Sequence, residues 1–314
     1  FADANFFVLG MLISVVAAKA FPGVCVDGGP LKPEFVVGQL GVAAVFLLSG
    51  LSIKLNELKT AVLNVKFNAV VQGTSLLAIP LASAAGVALL RQTTPIHPKL
   101  LDGLLATACL PTTVNMCVIL TTSAGGNVAA SLANAVMGNF LGIFVTPALL
   151  LGLLAATADV PLLAIVRKLF AKVVLPVVAG QLLRSWKPLL ELQQRRSGAF
   201  KRMSEIVLLL IVWNAFSNSF TAGLAIPLRD LAILGAFVPA LHLGTLLGLK
   251  SFYSKFFDPR DAVAGAFVAS HKTLAFGLPL LKLVFAGSPD LGYLCAPLLL
   301  LHPSQLLVGS LLVP

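Results

Sequence analysis

The sequence predicts an all-α polytopic membrane protein whose ten transmembrane helices form a five-plus-five inverted repeat. Three observations predict it. Of the 314 residues, 58% are hydrophobic and 11% charged, with a mean hydropathy of +0.98, whereas a soluble domain carries about a quarter charged residues. The apolar residues fall in runs of about 20, the length that crosses a hydrocarbon layer, and ten such runs leave about 94 residues for connections, too few for an extramembrane domain. Ten spans also divide into two sets of five, and an odd number per set forces the two halves into opposite orientations.

The spans follow one another as apolar runs between charges and turn residues. The first, near 5–21, has no basic stretch before it and reads as a span rather than a cleaved signal. The chain opens at Phe1 rather than Met and closes at Pro314 directly after an apolar run, so polar tails are expected beyond both ends. The turn Gly28-Gly29-Pro30 precedes span two, 34–53, and Lys54, Lys59 and Lys66 separate it from span three, 67–90. Pro95-Ile96-His97-Pro98 leads into span four, 100–120, and Gly125-Gly126-Asn127 into span five, 128–154, with Asn127 as its N-cap. Span six, 161–183, precedes the longest connection, about 184–203, which carries Arg195-Arg196 and Lys201-Arg202. Spans seven (204–222), eight (230–249) and nine (261–285) follow, and Ser288-Pro289-Asp290 turns the chain into span ten, 292–313. The repeats are then 1–154 and 155–314, together one transmembrane domain.

The net charge of +10 arises from basic residues lying mostly between apolar runs, where membrane topology explains them and nucleic acid is not needed. Counted over alternate loops, 12 Lys and Arg fall on the side holding both termini and 9 on the other, which favours cytoplasmic termini. The 9 include Arg167, Lys168 and Lys172, leading into span six. Four cysteines show no paired metal spacing, no second histidine stands at ligand spacing from His97, and neither a GxSxG elbow nor a Walker loop is present. The chain therefore reads as no enzyme, with no resident metal or cofactor.

The halves share layout more than identity. Asp102 opens span four and Pro111-Thr112-Thr113 interrupts it nine to eleven residues later; Asp261 opens span nine, with Ser270-His271-Lys272 at the same offset. Interrupted helices in corresponding positions are the sequence signature of a midplane site in a secondary transporter. All twelve carboxylates lie at span ends or in loops, which excludes a carboxylate-centred cation antiporter, while His242, His271, Lys272 and His302 lie inside spans. A lysine at mid-membrane costs about 3 kcal/mol on insertion scales and marks a functional site. Lys272 sits 11 residues from the start of its span and 13 from the end, so snorkelling does not suit it. His271 and Thr273 flank it, and Thr112, Thr113 and Asn115 offer oxygens beside the Pro111 break. Asn134 and Asn139 in span five, and His302, Ser304 and Gln305 in span ten, stand on the helices that follow the breaks; each reads either as ligand or as polar glue between helices. Asn68 and Gln72 carry a weaker signal. The stretch Asn214 to Ser219 reads equally as a wet face or a tight helix contact.

Six stretches together closely resemble the bile acid:sodium symporter family, solute carrier family 10, and within it the branch of the seventh member. They are Val26 to Glu34 (VDGGPLKPE), Ser49 to Lys54 (SGLSIK), Cys109 to Val114 (CLPTTV), Ala124 to Ala130 (AGGNVAA), Ser270 to Leu274 (SHKTL) and Pro297 to Gln305 (PLLLLHPSQ). The resemblance covers nearly the whole chain. It implies a core-and-panel architecture in which helices four and nine are broken and cross near the midplane, and an elevator-like or rocking alternating-access cycle. The family's Pro-Gly-Gly and Ser-Asn region falls on Pro111-Thr112-Thr113 and about Asn115-Met116-Cys117, and its Glu-x-x-x-Gln-Asn near Ala269 to Thr273. The sodium-binding glutamate has no counterpart here, and Lys272 stands near the position of the glutamine. An ammonium there repels sodium or substitutes for it, which argues against sodium coupling.

The expected activity is secondary active transport of a small organic anion, with Lys272 either pairing the substrate charge or replacing the sodium ion. The expected binding set is Thr112, Thr113, Asn115, Asn139, His271, Lys272, Thr273, His302 and Gln305. The resembling branch implies a plasma or secretory-pathway membrane, and offers a second reading as a non-transporting regulator of cellular calcium.

Overall fold

The computed structural model describes residues 2–52, 64–154, 167, 170–221, 226–286 and 288–311. Lys54, Lys59, Lys168, the opening of span six and the last two residues of span ten lie outside the described residues, as do the side chains of Ser49 and Asn115. Every regular element among the described residues is helical. In chain order these are α1 (Ala2–Ala20), α2 (Pro33–Phe35), α3 (Val42–Ser52), α4 (Val65–Gly73), α5 (Ile79–Thr93), α6 (Pro98–Ala108), α7 (Val114–Ser123), α8 (Val128–Leu154) and α9 (Leu175–Arg184). There follow α10 (Lys187–Arg195), α11 (Ser197–Thr221), α12 (Leu228–Ser254), α13 (Pro259–Ser270), α14 (Leu274–Val284) and α15 (Leu291–Leu311). Wider π-helical turns occupy Val36–Gly41, Thr74–Ala78 and Phe170–Val174.

The protein is a multi-pass integral membrane protein. Among the described residues six stretches are long and apolar enough to cross a membrane: Val65–Thr93, Val128–Leu154, Ser197–Thr221, Leu228–Ser254, Pro259–Val284 and Leu291–Gly309. Leu9–Ala20 and Pro33–Leu48 are apolar but shorter. The expected span four is not one helix: α6 ends at Ala108 and α7 begins at Val114. Pro111 has no N–H to continue the helical ladder, and the Thr107 carbonyl is closed instead by the tighter bond from Leu110 N–H, 3.2 Å.

Two compact units interleave segments from both halves of the chain. The first comprises Phe1–Ile53, Asp159–Ala225 and Ala275–Cys295. In it α1 lies along α11, and α3 packs on α9 through glycine. A Cβ on Gly50 would stand 2.3 Å from the Val177 carbonyl oxygen, and one on Gly180 2.2 Å from that of Leu47, so the backbones touch with no side chain between them. The last carbonyls of α3 are taken by side chains of α9: Gln181 donates to Gly50 O, and Arg184 to Leu51 O at 2.6 Å. The Asn214 to Ser219 stretch proves to be a tight contact. Asn214 is fully buried; its Nδ2 donates to Cys25 O (2.7 Å) and Asp27 Oδ1 (3.0 Å), while Lys282 donates to its Oδ1. Asn218 closes on Asp27 in both directions, at 2.8 and 2.9 Å, so the connection after α1 is laced to α11.

The second unit comprises Lys54–Ala158, Ile226–Leu274 and Ala296–Pro314. Its pairs are α5 with α6, α7 with α8, and α12 with α13, around a cluster that includes Phe67, Val71, Cys117, Tyr253, Phe267 and Ala269. Asn127 caps α8 as expected, accepting from Ala130 N–H at 3.1 Å after a left-handed Gly125 (φ +67°). Its amide also donates to Asp261 Oδ1 (2.7 Å), which fixes this turn to the start of α13. Asp102 does not open its helix: α6 starts at Pro98 with His97 as N-cap, and Asp102, buried one turn in, pairs with Arg91 of α5.

Gly180→Ala forces a methyl group into a carbonyl. We expect overpacking of about 1–3 kcal/mol, read as a fall in the thermal unfolding midpoint of purified protein, while Gly235→Ala, where a Cβ meets open space, leaves it unchanged.

Candidate functional site

The second unit contains two helix interruptions, and each frees backbone groups where no water can meet them. The first runs from Cys109 to Thr113. The second spans His271 to Thr273, with His271 extended at φ −87°, ψ 131°. A backbone bond joins them, Thr273 N–H donating to Pro111 O at 2.9 Å.

The Thr112 carbonyl and the Lys272 peptide groups are met by amide side chains, each from the second helix after its break. Asn139 of α8 donates from Nδ2 to Thr112 O (2.7 Å) and to Ala135 O (2.9 Å). Gln305 of α15 meets Lys272 twice, its NH2 donating to Lys272 O at 3.1 Å and its carbonyl accepting from Lys272 N–H at 2.8 Å. A primary amide has the donor and acceptor spacing of a peptide unit, so Gln305 acts as the missing strand of backbone. The second break contains no proline, and these bonds hold it open where propensity alone would not.

Lys272 is 3% exposed. Its ammonium donates to Ser75 O (2.8 Å) and Ser75 Oγ (3.2 Å), both on one residue. The Ser75 carbonyl is vacant for a local reason. In the π-helical turn Thr74–Ala78 the N–H of Ile79 bonds back to Thr74, five residues earlier, and not to Ser75. The next N–H in that register belongs to residue 80, a proline, which has none. A wide turn and a proline thus present an unpaired carbonyl dipole to the lysine. A lysine ammonium carries three donors, so among the described residues one N–H and the positive charge are left without a partner.

A polar stripe leads along α4 toward this seat, at i, i+4 and i+7: Asn68, Gln72 and Ser75. Asn134 Nδ2 donates to Asn68 Oδ1 (2.8 Å), and Gln72 Nε2 donates to Asn134 O (2.8 Å) and Oδ1 (3.2 Å). Gln72 Oε1 is buried without a donor.

The remaining expected residues are placed as follows. Thr112 is buried, its Oγ1 3.2 Å from Cys117 Sγ. Thr113 precedes α7 and makes no side-chain cap. Asn115 lies in α7, its side chain outside the described residues. Thr273 contributes its N–H to the bond between breaks, His271 stacks edge to face on His242 with ring centroids 4.8 Å apart, and His302 is half-buried on α15. The structure thus gathers the Thr112, Asn139, Lys272, Thr273 and Gln305 backbone or side-chain groups around the joined breaks. Ser75 was missed from sequence. Its signal is a proline five residues after a serine in a polar-striped helix, legible only once a π-turn is known to be there.

A family model described as the SBF-like CPA transporter family matches residues 5–314. Over 314 residues the chain is 38% identical to Sodium/bile acid cotransporter 7-B of Xenopus laevis, covering 99% of this chain and 91% of that protein. Over 317 residues it is 38% identical to Sodium/bile acid cotransporter 7 of Mus musculus, covering 100% and 92%. An uncharacterised protein of Pseudomonas aeruginosa is 30% identical over 315 residues, covering 98% and 91%. These relatives bear out the resemblance read from the six motifs.

Gln305→Leu removes both partners of the Lys272 peptide group. We expect a loss of about 2 kcal/mol or more in thermal or denaturant unfolding, the penalty for buried N–H and C=O groups left unpaired. Equal stability of Gln305→Leu and wild type would show that the break is held by other means.

Proposed function

The chain belongs to the SBF-like CPA transporter family, and from that premise we propose that it is a secondary active carrier of a small organic anion, working by alternating access without a coupling sodium ion. The observation that carries this reading is the Lys272 ammonium, buried at the joined breaks and bonded to a neutral carbonyl and hydroxyl rather than to a carboxylate. In the proposal Lys272 is the resident cation. Its charge attracts a carboxylate, sulfonate or similar group, and its position repels sodium. The vacant Ser75 carbonyl keeps the ammonium hydrogen-bonded while a substrate is absent, which lowers the penalty of burying it.

The same proposal takes the ten spans as two inverted five-helix repeats, 1–154 and 155–314, with helices four and nine broken and crossing and both termini in the cytoplasm. The matching roles of Asn139 and Gln305, each on the second helix after a break and each donating to a break carbonyl, support that symmetry. The protein resides in a plasma or secretory-pathway membrane.

Purified protein should gain thermal stability from organic anions in sodium-free potassium buffer. A ligand at about 100 times its Kd stabilises the folded state by ~2.7 kcal/mol, and Lys272→Gln should abolish the shift. Stabilisation by sodium alone, or an anion effect intact in Lys272→Gln, would sink the proposal.

Pro80→Ala tests the seat. The new N–H competes for Ser75 O, so the ammonium loses its strongest partner, and anion affinity measured by the same shift should change several-fold with the helix still folded.

A further inference from the structure

Two imidazoles in the second unit are left without work by the anion site. His271 is fully buried and His242, on α12, is 4% exposed; their rings meet edge to face, 82° apart in plane and 4.8 Å between centroids. The tautomer of His271 follows from its neighbours. Nδ1 lies 3.0 Å from Phe267 O, which can only accept, and 3.0 Å from Ser270 Oγ, whose own hydrogen is directed to Ala266 O at 2.7 Å. Nδ1 therefore carries the hydrogen, and Nε2 of the neutral ring is a bare lone pair. That Nε2 has no donor, and neither has Nε2 of His242. Two adjacent ring nitrogens are thus buried without a partner, an arrangement that costs free energy as long as both stay unpaired.

One proton relieves this. We propose that His242 and His271 together form a proton-binding site, which makes the proton the coupling ion of the carrier reading on which this inference rests. A proton from water forms an N–H bond on one Nε2 and turns an unpaired acceptor into a donor; release to water breaks that bond, with no change of oxidation state. The Gln305 backbone carbonyl also faces the His271 ring.

The charges around the pair define how it responds. Lys272 follows His271 directly and opposes a second positive charge, though its ammonium is turned to Ser75. From α15 the pair is faced by His302 and from α7 by Cys117, whose Sγ donates to Phe267 O at 3.4 Å, while Cys109 of the first break lies toward Lys272. Tyr253 of α12 packs on α13 nearly two turns away at Gly265, and Asp261 at the head of α13 is engaged by Asn127. From α4, Lys66 lies over the Phe257 ring. Among the described residues of α8 there is no titratable group. Among the described residues no carboxylate pairs with Lys272, so an anion that does so removes the main repulsion against the proton. Anion and proton then bind with mutual support, the reciprocity expected of two coupled sites, and travel together.

The test is nitrogen-15 NMR of histidine rings in the full chain in lipid nanodiscs from pH 4.5 to 8, with no substrate added. The Nε2 resonances of His242 and His271 should move together from the unprotonated to the protonated type. In His242→Phe, or in His242→Gln if the first does not fold, the His271 response should change its midpoint. In Lys272→Gln the protonated fraction at a fixed acidic pH should rise several-fold. Rings that stay unprotonated throughout in wild type, or a His271 response identical with and without His242, would overturn the proposal. The carrier reading fails separately, by the absence of any anion-dependent stabilisation, a readout that involves no histidine resonance.

Discussion

An interrupted helix in an apolar interior must find partners for the backbone groups it releases, because hydrocarbon offers none. Much of the second unit is arranged by that requirement. Thr273 N–H goes to Pro111 O, Asn139 goes to Thr112 O, and Gln305 closes both groups of Lys272. The breaks are therefore not loose ends but the most heavily specified parts of the backbone, held by bonds between elements far apart in sequence. Once they are fixed, the positions of the side chains they carry are fixed too.

The same requirement explains why a lysine can stand there. A buried ammonium with no acid is costly, and here the cost is reduced by a carbonyl that the helix itself cannot use. Pro80 and the wide turn at Thr74–Ala78 are individually unremarkable helix irregularities; together they leave one oxygen free at the right depth. The unneutralised charge that results is a local property of Lys272 and Ser75, which is why it makes a better basis for function than any single polar residue on the neighbouring helices.

Much of this was legible in the sequence, and for identifiable reasons. Pro111 announces its break because proline has a fixed backbone chemistry, and Lys272 announces itself because charge at mid-span is rare. Asn127 could be named as a cap since its side chain acts on its own turn. The parts that escaped depend on partners. Ser75 looks like any serine until the register of its helix is known. Gln305 and Asn139 were expected among binding residues, and the structure shows what their amides touch, which is backbone. The Asn214 stretch was ambiguous since a polar face serves water and a neighbouring loop equally well; Asp27 and Cys25, nearly two hundred positions away, decide it. The ten expected runs are a count of apolar length, and a stretch interrupted as Pro98–Ser123 is falls short as a helix of the length that was counted.

The glycine contact in the first unit has a mechanical corollary. Side chains between helices act as a cushion whose rotamers absorb small displacements; α3 and α9 have no such cushion at Gly50 and Gly180, where backbone rests on backbone. Arg184 and Gln181 then tether the end of one helix to the flank of the other. The two behave as a single stiff strut that can be tilted but not sheared. Each is preceded by a π-helical segment, Val36–Gly41 before α3 and Phe170–Val174 before α9, whose looser winding yields more readily than the strut itself. Within this unit any bending is thereby directed to two matched joints rather than to the contact itself.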